Sequence, residues 1–239
     1  MDLALTTYLI VGASKGLGAG FAEGLPGPGD ICWMVSRTRP PLADQSATGG
    51  CDWRWIKADA TTGRFADDIA EAVAGQPIDC LIYNAGIWED GPIAETSQER
   101  VREVITVNLT ACILTLKALS GAVAASRARQ IVLIGSTCGL ENEGSKKLAY
   151  VASKFGVRGV GHALREDLRE AGVKVTILSP GSIASDIDYA SGVQAALDAH
   201  DSSRIPVADF VSAVRWLLTL SPAAAPKEID FPALKDTDV

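Results

Sequence analysis

Tyr8-Leu9-Ile10-Val11-Gly12-Ala13-Ser14-Lys15-Gly16-Leu17-Gly18 runs four apolar residues straight into a turn with three glycines, and helical apolar spacing follows from Gly18 to Leu25. An unbroken apolar run, rather than an alternating one, is what a strand covered on both faces requires. Glycines between such a strand and a helix let a ligand approach the backbone, and the helix N-terminus is then open to a phosphate. The spacing is GxxxGxG, not the commoner dinucleotide pattern GxGxxG. A structural turn accounts for one glycine; three, interleaved with Ser14 and Lys15, favour a nucleotide.

The same alternation continues along the chain. Ile31 to Val35, Trp53 to Ile56, Cys80 to Tyr83, Ile131 to Ile134 and Val173 to Leu178 read as further buried strands, and Lys227 to Pro232 as a last one. Phe65 to Ala74, Gln98 to Ala125, Tyr150 to Ala171 and Val207 to Leu220 carry helical spacing. This order predicts an α/β fold, a doubly wound parallel sheet with helices on both faces. The 239 residues are expected to form a single domain. Pro26 to Asp30 reads as a tight helix-to-strand turn and Arg39 to Gly50 as a surface loop. Ser182 to Pro206, rich in Ser, Asp and Ala, follows a strand end, where a parallel sheet has its ligand crevice. It is expected to be a substrate lid, with a plain connecting loop as the alternative.

Composition narrows the function classes. Apolar residues make up 47% of the chain and charged ones 21%, with a net charge of -7. An acidic surface argues against a nucleic acid backbone or an anionic membrane as the main partner. Neither a basic, apolar leader nor a run of roughly 18 uninterrupted apolar residues is visible, so the expectation is a soluble, cytoplasmic protein. Cysteines at 32, 51, 80, 112 and 138 are odd in number without a CxxC pair, and His162 and His200 lack nearby ligand partners. Buried free thiols are expected, with no disulfide framework and no metal site.

Several polar residues fall at strand ends or on helices in positions that suggest chemistry. Arg37 ends the second strand, where a dinucleotide fold places the adenosine ribose; an arginine there suits a 2′-phosphate as a carboxylate would suit free hydroxyls. Lys15 and Arg37 form a cationic clamp in this reading, or two solvated charges in the plainer one. Asp59, before Ala60, either accepts from an adenine amino group or caps a turn. Asn84-Ala85-Gly86 closes the fourth strand. Asn108 lies inside a helix, a poor place for asparagine unless its amide has a task. That task is a water or backbone group in a proton path, or a helix bend. Ser136 follows the fifth strand with neither a GxSxG elbow nor a histidine partner, which disfavours a hydrolase and suits a hydrogen-bond donor to a substrate oxygen.

Tyr150 and Lys154, four residues apart, share one helix face. A cation about 4 Å from a phenol at an effective dielectric of about 20 is worth on the order of 4 kcal/mol, enough to bring the phenol towards neutrality. The pair is weak evidence alone.

Together these residues resemble the short-chain dehydrogenase/reductase family in its short single-domain form, over residues 6 to 221. The resemblance implies a Rossmann-type three-layer sandwich, a catalytic tetrad of Asn108, Ser136, Tyr150 and Lys154, and a cofactor turn at Gly12, Gly16 and Gly18. By the same resemblance, Ser14, Lys15, Leu17, Arg37, Asp59, Ala60, Asn84, Ala85 and Gly86 line the nucleotide. Pro180-Gly181-Ser182-Ile183-Ala184-Ser185 is similar to the family's PGxVxT segment, placing Pro180, Gly181, Ile183 and Ser185 at the nicotinamide together with Tyr150 and Lys154. Val11, Gly135 and Ser185 depart from the residues usual in those motifs.

The implied function is an NADP(H)-dependent carbonyl reductase or alcohol dehydrogenase, with NAD(H) the less favoured cofactor. A redox-silent nucleotide sensor or scaffold is the alternative from another class, and an epimerase or dehydratase a third. Trp88, Cys138, Leu140 and Leu148 are expected to line the substrate pocket. Val101, Ile105, Leu109, Ile113 and Leu116 on one long helix and Val157, Val160, Leu164 and Leu168 on the other exceed what one sheet can cover. A homodimer or homotetramer joined through both helices follows.

Overall fold

The computed structural model describes residues 5–45, 50–89, 91–140 and 145–235. Residues 1–4 of the N-terminal reading, 46–49 of the Arg39 to Gly50 loop and the terminal 236–239 lie outside the described residues. Seven strands form one sheet: β1 (Thr7–Val11), β2 (Ile31–Ser36), β3 (Asp52–Lys57), β4 (Cys80–Tyr83), β5 (Gln130–Ile134), β6 (Lys174–Pro180) and β7 (Glu228–Phe231). The order is β3-β2-β1-β4-β5-β6-β7, with every neighbouring pair parallel.

The helices are α1 (Gly16–Gly24), α2 (Phe65–Val73), α3 (Gln98–Ile105), α4 (Ala111–Ala124), α5 (Leu148–Asp167), α6 (Gly192–His200) and α7 (Val207–Thr219). Successive strand residues point to opposite faces, and both faces are apolar. Tyr8 and Ile10 of β1 join Phe21 of α1 and Phe210 of α7 in one core. Leu9 and Val11 join Ile69 of α2, Leu116 of α4 and Val157 of α5 in the other. The unbroken apolar runs have this cause: each strand needs apolar residues at odd and even positions alike.

Two expectations change in detail. Gln98 to Ala125 is not one regular helix, because Thr106–Thr110 forms a π turn between α3 and α4 with Asn108 at its centre. Such turns are common at functional sites. By length and composition the Gln98–Ala124 run is apolar enough to cross a membrane; here Val104, Cys112, Leu116, Leu119 and Val123 bury its inner face in the fold. Ser182 to Pro206, read as a loop, contains α6 and a 3-10 turn at Tyr189–Ser191. Its two ends meet, with the Ala184 amide donating to the Ile205 carbonyl at 2.9 Å and the Ile205 amide to the Ser182 carbonyl at 2.9 Å.

The cysteines are free thiols: four are buried and Cys138 is half-buried. Burial pushes the Cys51, Cys80 and Cys112 thiols up to about 12, so they behave as small apolar residues. Among the described residues no group of three or more His, Cys, Asp or Glu is placed to hold a metal. His162 pairs with Glu228 and His200 with Asp186.

Candidate active site

In the sheet order, β1 and β4 are neighbours while the chain leaves them in opposite directions, which opens a crevice at their carboxyl ends. A groove of about 680 Å³ occupies that place, a size typical of small-molecule sites. Gly12, Ser14, Lys15, Gly16 and Leu17 line it from the first turn, Arg37 from the end of β2, and Asp59 and Ala60 from the end of β3. Asn84, Ala85 and Gly86 line it after β4, and Ser185 after β6.

The first turn is tightly built. Gly12 has φ +86 and its amide donates to the Val35 carbonyl at 2.8 Å. A Cβ on Gly18 would lie 2.0 Å from the Gly12 carbonyl oxygen and 2.6 Å from Asn84 Nδ2. Gly18 therefore does not line the groove; it lets α1 approach the turn closely enough for the groove to exist. Asn84 Nδ2 donates to the same Gly12 oxygen at 2.9 Å, tying the ends of β1 and β4 together. This cradle, which a side chain would fill, fits a phosphate at the α1 N-terminus.

One of the two readings of Asp59 is visible in its hydrogen bonds. Asp59 Oδ1 accepts from the Thr61 amide at 3.0 Å and the Thr61 hydroxyl at 2.9 Å, so the residue caps its turn. Those bonds to Thr61, aided by the Arg37 charge, hold its carboxyl below the ordinary range. Arg37 is exposed at the groove wall. After β6, Gly181 donates to the Phe231 carbonyl at 2.7 Å and the Thr137 hydroxyl to the Pro180 carbonyl at 3.4 Å. Pro180, Gly181 and Ile183, expected at the nicotinamide, are not among the residues lining the groove, whereas Ser185 is and packs against Gly16.

At the far end of the groove, a Cβ on Gly86 would sit 3.6 Å from both Asn108 Oδ1 and Lys154 Nζ, so the tetrad begins where the groove ends. The Ser136 hydroxyl is near enough to the Tyr150 phenol to favour its ionised form, and its Oγ accepts from the Cys138 amide at 3.1 Å. Gly139 allows this approach, since a Cβ there would lie 2.9 Å from the Lys154 backbone. Asn108 is fully engaged. Its Oδ1 accepts from the Ile87 amide at 2.8 Å, and its Nδ2 donates to the Ile87 carbonyl at 2.8 Å and to Ser153 Oγ at 2.9 Å. The Ser153 hydroxyl in turn donates to the Tyr150 carbonyl at 2.7 Å. Asn108 thus holds a backbone group from within a π turn of its helix.

One expectation is corrected. Burial pushes the Tyr150 phenol above its ordinary value, against the pull of Ser136, so the net direction is opposite to the acidification expected from Lys154. Lys154 Nζ donates to the Ile134 carbonyl at 2.9 Å and lies 5.5 Å from the Tyr150 ring centre. Burial also brings the lysine down to about 8.

Lys147 Nζ lies over the Trp88 ring at 5.4 Å, which joins the loop after β4 to the start of α5. Trp88 and Leu148 are 51% and 53% exposed, leaving apolar surface beside the tetrad. Sequence reading missed Ser153, Glu89 and the packing roles of Gly139 and Gly156. Ser153 stands between Tyr150 and Lys154 in the chain, and its position one turn from Tyr150 was the available signal. A Cβ on Gly156 would strike Leu109 at 2.7 Å, and that close contact seats the π turn on α5.

Residues 6–194 match the family model described as short chain dehydrogenase. An uncharacterized oxidoreductase of Myxococcus xanthus is 31% identical over 194 residues, 78% of this chain and 75% of that protein. The 3-oxoacyl-[acyl-carrier-protein] reductase of Escherichia coli is 26% identical over 184 residues, 76% of this chain and 75% of that protein. A metagenomic short-chain oxidoreductase solved in complex with NADP has a TM-score of 0.76 and 26% identity, covering 98% of this chain and 100% of that one.

Proposed function

Because the chain belongs to the short-chain dehydrogenase/reductase family and is an oxidoreductase of that family, we propose that it interconverts a carbonyl and an alcohol with NADP(H), using Tyr150 as acid and base. The observation carrying this reading is the meeting of Asn108 and the buried Lys154 at Gly86, where the groove lined by the first glycine turn ends, with Tyr150 on the same helix over Lys154. Gly12, Ser14, Gly16 and Leu17 would hold the phosphates, Lys15 and Arg37 the 2′-phosphate, and Asn84, Ala85, Gly86, Lys154 and Ser185 the rest of the cofactor. When bound, the nicotinamide supplies or accepts the hydride at the carbonyl carbon.

Ser136 polarises the substrate oxygen while Tyr150 donates its proton to it. Lys154 sets charge beneath the phenol, and Asn108 keeps α5 and the loop after β4 in register. The segment from 182 to 206, clasped at its base, covers the substrate as a lid. Consumption of NADPH absorbance with a panel of ketones and aldehydes tests the reading. Tight NADPH binding without turnover across the panel would favour a nucleotide sensor instead.

The two pKa directions set the pH dependence. Reduction needs Tyr150 protonated, and a phenol above its ordinary value stays so through neutral pH. Lys154 is charged only below about 8. In the reductive direction kcat/KM therefore holds a plateau at lower pH and falls as pH rises through about 8, since that parameter reports the free enzyme. A pH–rate profile flat to pH ~10 would contradict it.

We also propose self-association through α4 and α5. Of the apolar excess expected there, Leu116 and Val157 are buried and Leu109, Val160, Leu164 and Leu168 pack half-buried against the core, which leaves Ile113 at 44% exposed; Leu114 and Phe155, not singled out from the sequence, are 43% and 46% exposed. Light scattering is expected to give a dimer or tetramer, and Phe155→Glu to dissociate it. A parent mass near 25.0 kDa in the presence of NADPH would exclude the interface.

A further inference from the structure

Glu89 is a buried carboxylate that the proposed chemistry does not use. It is 1% exposed, three residues beyond the Gly86 end of the groove. Its Oε1 accepts from the Ala149 amide at 2.8 Å and its Oε2 from the Tyr150 amide at 3.0 Å. These are second- and third-position donors of α5, which a side chain at the helix's own N-cap ordinarily serves. That position is Lys147, which makes no side-chain cap hydrogen bond. A serine there would satisfy one of the same donors locally, without placing a carboxylate in the interior. What the distant cap adds is a connection. Asn108 holds Ile87 by both backbone groups, Arg100 donates to the Trp88 carbonyl, and Glu89 grips the backbone of Tyr150. Three consecutive residues after β4 are thus each fastened to a different partner.

We propose that Glu89 is a positioning residue that ties the cofactor loop after β4 to the backbone of Tyr150, so that filling the groove at Asn84-Ala85-Gly86 steadies the helix carrying the proton donor. The proposal rests on the oxidoreductase reading only for its effect on turnover. The loop supplies the groove wall, and Glu89 carries its position to the first turn of α5. Small misplacements of a reacting group, of about 1 Å, cost on the order of 100-fold in rate.

The test separates capping from tethering. Lys147→Ser gives α5 a local cap for one of the two amides and also frees Trp88 from Lys147, so the tether is isolated by adding Glu89→Ala within that background. Compared with Lys147→Ser alone, the double variant should keep its NADPH affinity and stay folded with a modestly lower melting temperature, while kcat falls roughly 10- to 100-fold. Hydrogen exchange gives a readout independent of substrate: NADPH should slow the Ala149 and Tyr150 amides in the parent and in Lys147→Ser, but not in the double variant. If the double variant will not fold, Glu89→Gln, which keeps the shape and one acceptor, serves in the same comparison, with a smaller loss expected. Full recovery of kcat and of NADPH-dependent protection in the double variant would make Glu89 a cap and nothing more, overturning the proposal. Slowed amides in a parent that reduces no carbonyl would sink the oxidoreductase reading and leave the tether standing. Turnover without slowed amides would do the reverse.

Discussion

Tyr150→Phe lowers turnover by about two to four orders of magnitude, the usual size of a general-acid contribution, while NADPH binding stays near that of the parent. Phenylalanine fills the space of the ring, and α5 keeps its hydrogen bonds because Glu89 and Ser153 reach the Tyr150 backbone, not its phenol. Only the hydroxyl and its proton are lost. The raised phenol matters to the direction of the effect: at neutral pH the residue carries the proton that reduction consumes, so removing it leaves water as the donor. Steady-state rates with the best carbonyl from a screen decide the matter, together with NADPH titration of the same preparation. A variant turning over at the parent rate would remove Tyr150 from the proton step.

Arg37→Asp weakens NADPH by roughly 10- to 100-fold and brings NADH to parity or better, since a charge-assisted contact is worth about 1.5 to 3 kcal/mol. Arg37 stands on the groove wall beside Asp59, whose carboxyl it helps keep ionised. The reversed charge would repel a 2′-phosphate and accept from free ribose hydroxyls. Intrinsic fluorescence provides the titration signal: Trp55 Nε1 donates to Ser36 Oγ at 3.2 Å, next to Arg37 in the chain. Equal NADPH and NADH affinities in the parent would remove the cationic clamp from the proposal.

The layering of the fold was legible in the chain because a doubly covered strand leaves a one-dimensional mark. Tyr8 to Val11 cannot alternate when Tyr8 and Ile10 enter one core and Leu9 and Val11 the other. The glycine turn and the four-residue step from Tyr150 to Lys154 were legible for the same reason, as local spacing carries local geometry. Contacts across the sequence leave no such mark. Nothing in the spacing of Trp88-Glu89 says that a carboxylate will cap a helix 60 residues later, or that Asn108 will find Ile87 and Ser153.

The chemistry of the tyrosine divides along this line. Sequence alone determined that a phenol and an ammonium share one helix face near a serine and a glycine-rich nucleotide turn. Only the tertiary structure decided their energetics, because the pKa of a buried group depends on what surrounds it in space. The lysine's hydrogen bond goes to the Ile134 carbonyl on β5, and desolvation dominates both groups. A helical step fixes which side chains can meet; the surrounding protein decides their distance, their solvent and so their charge.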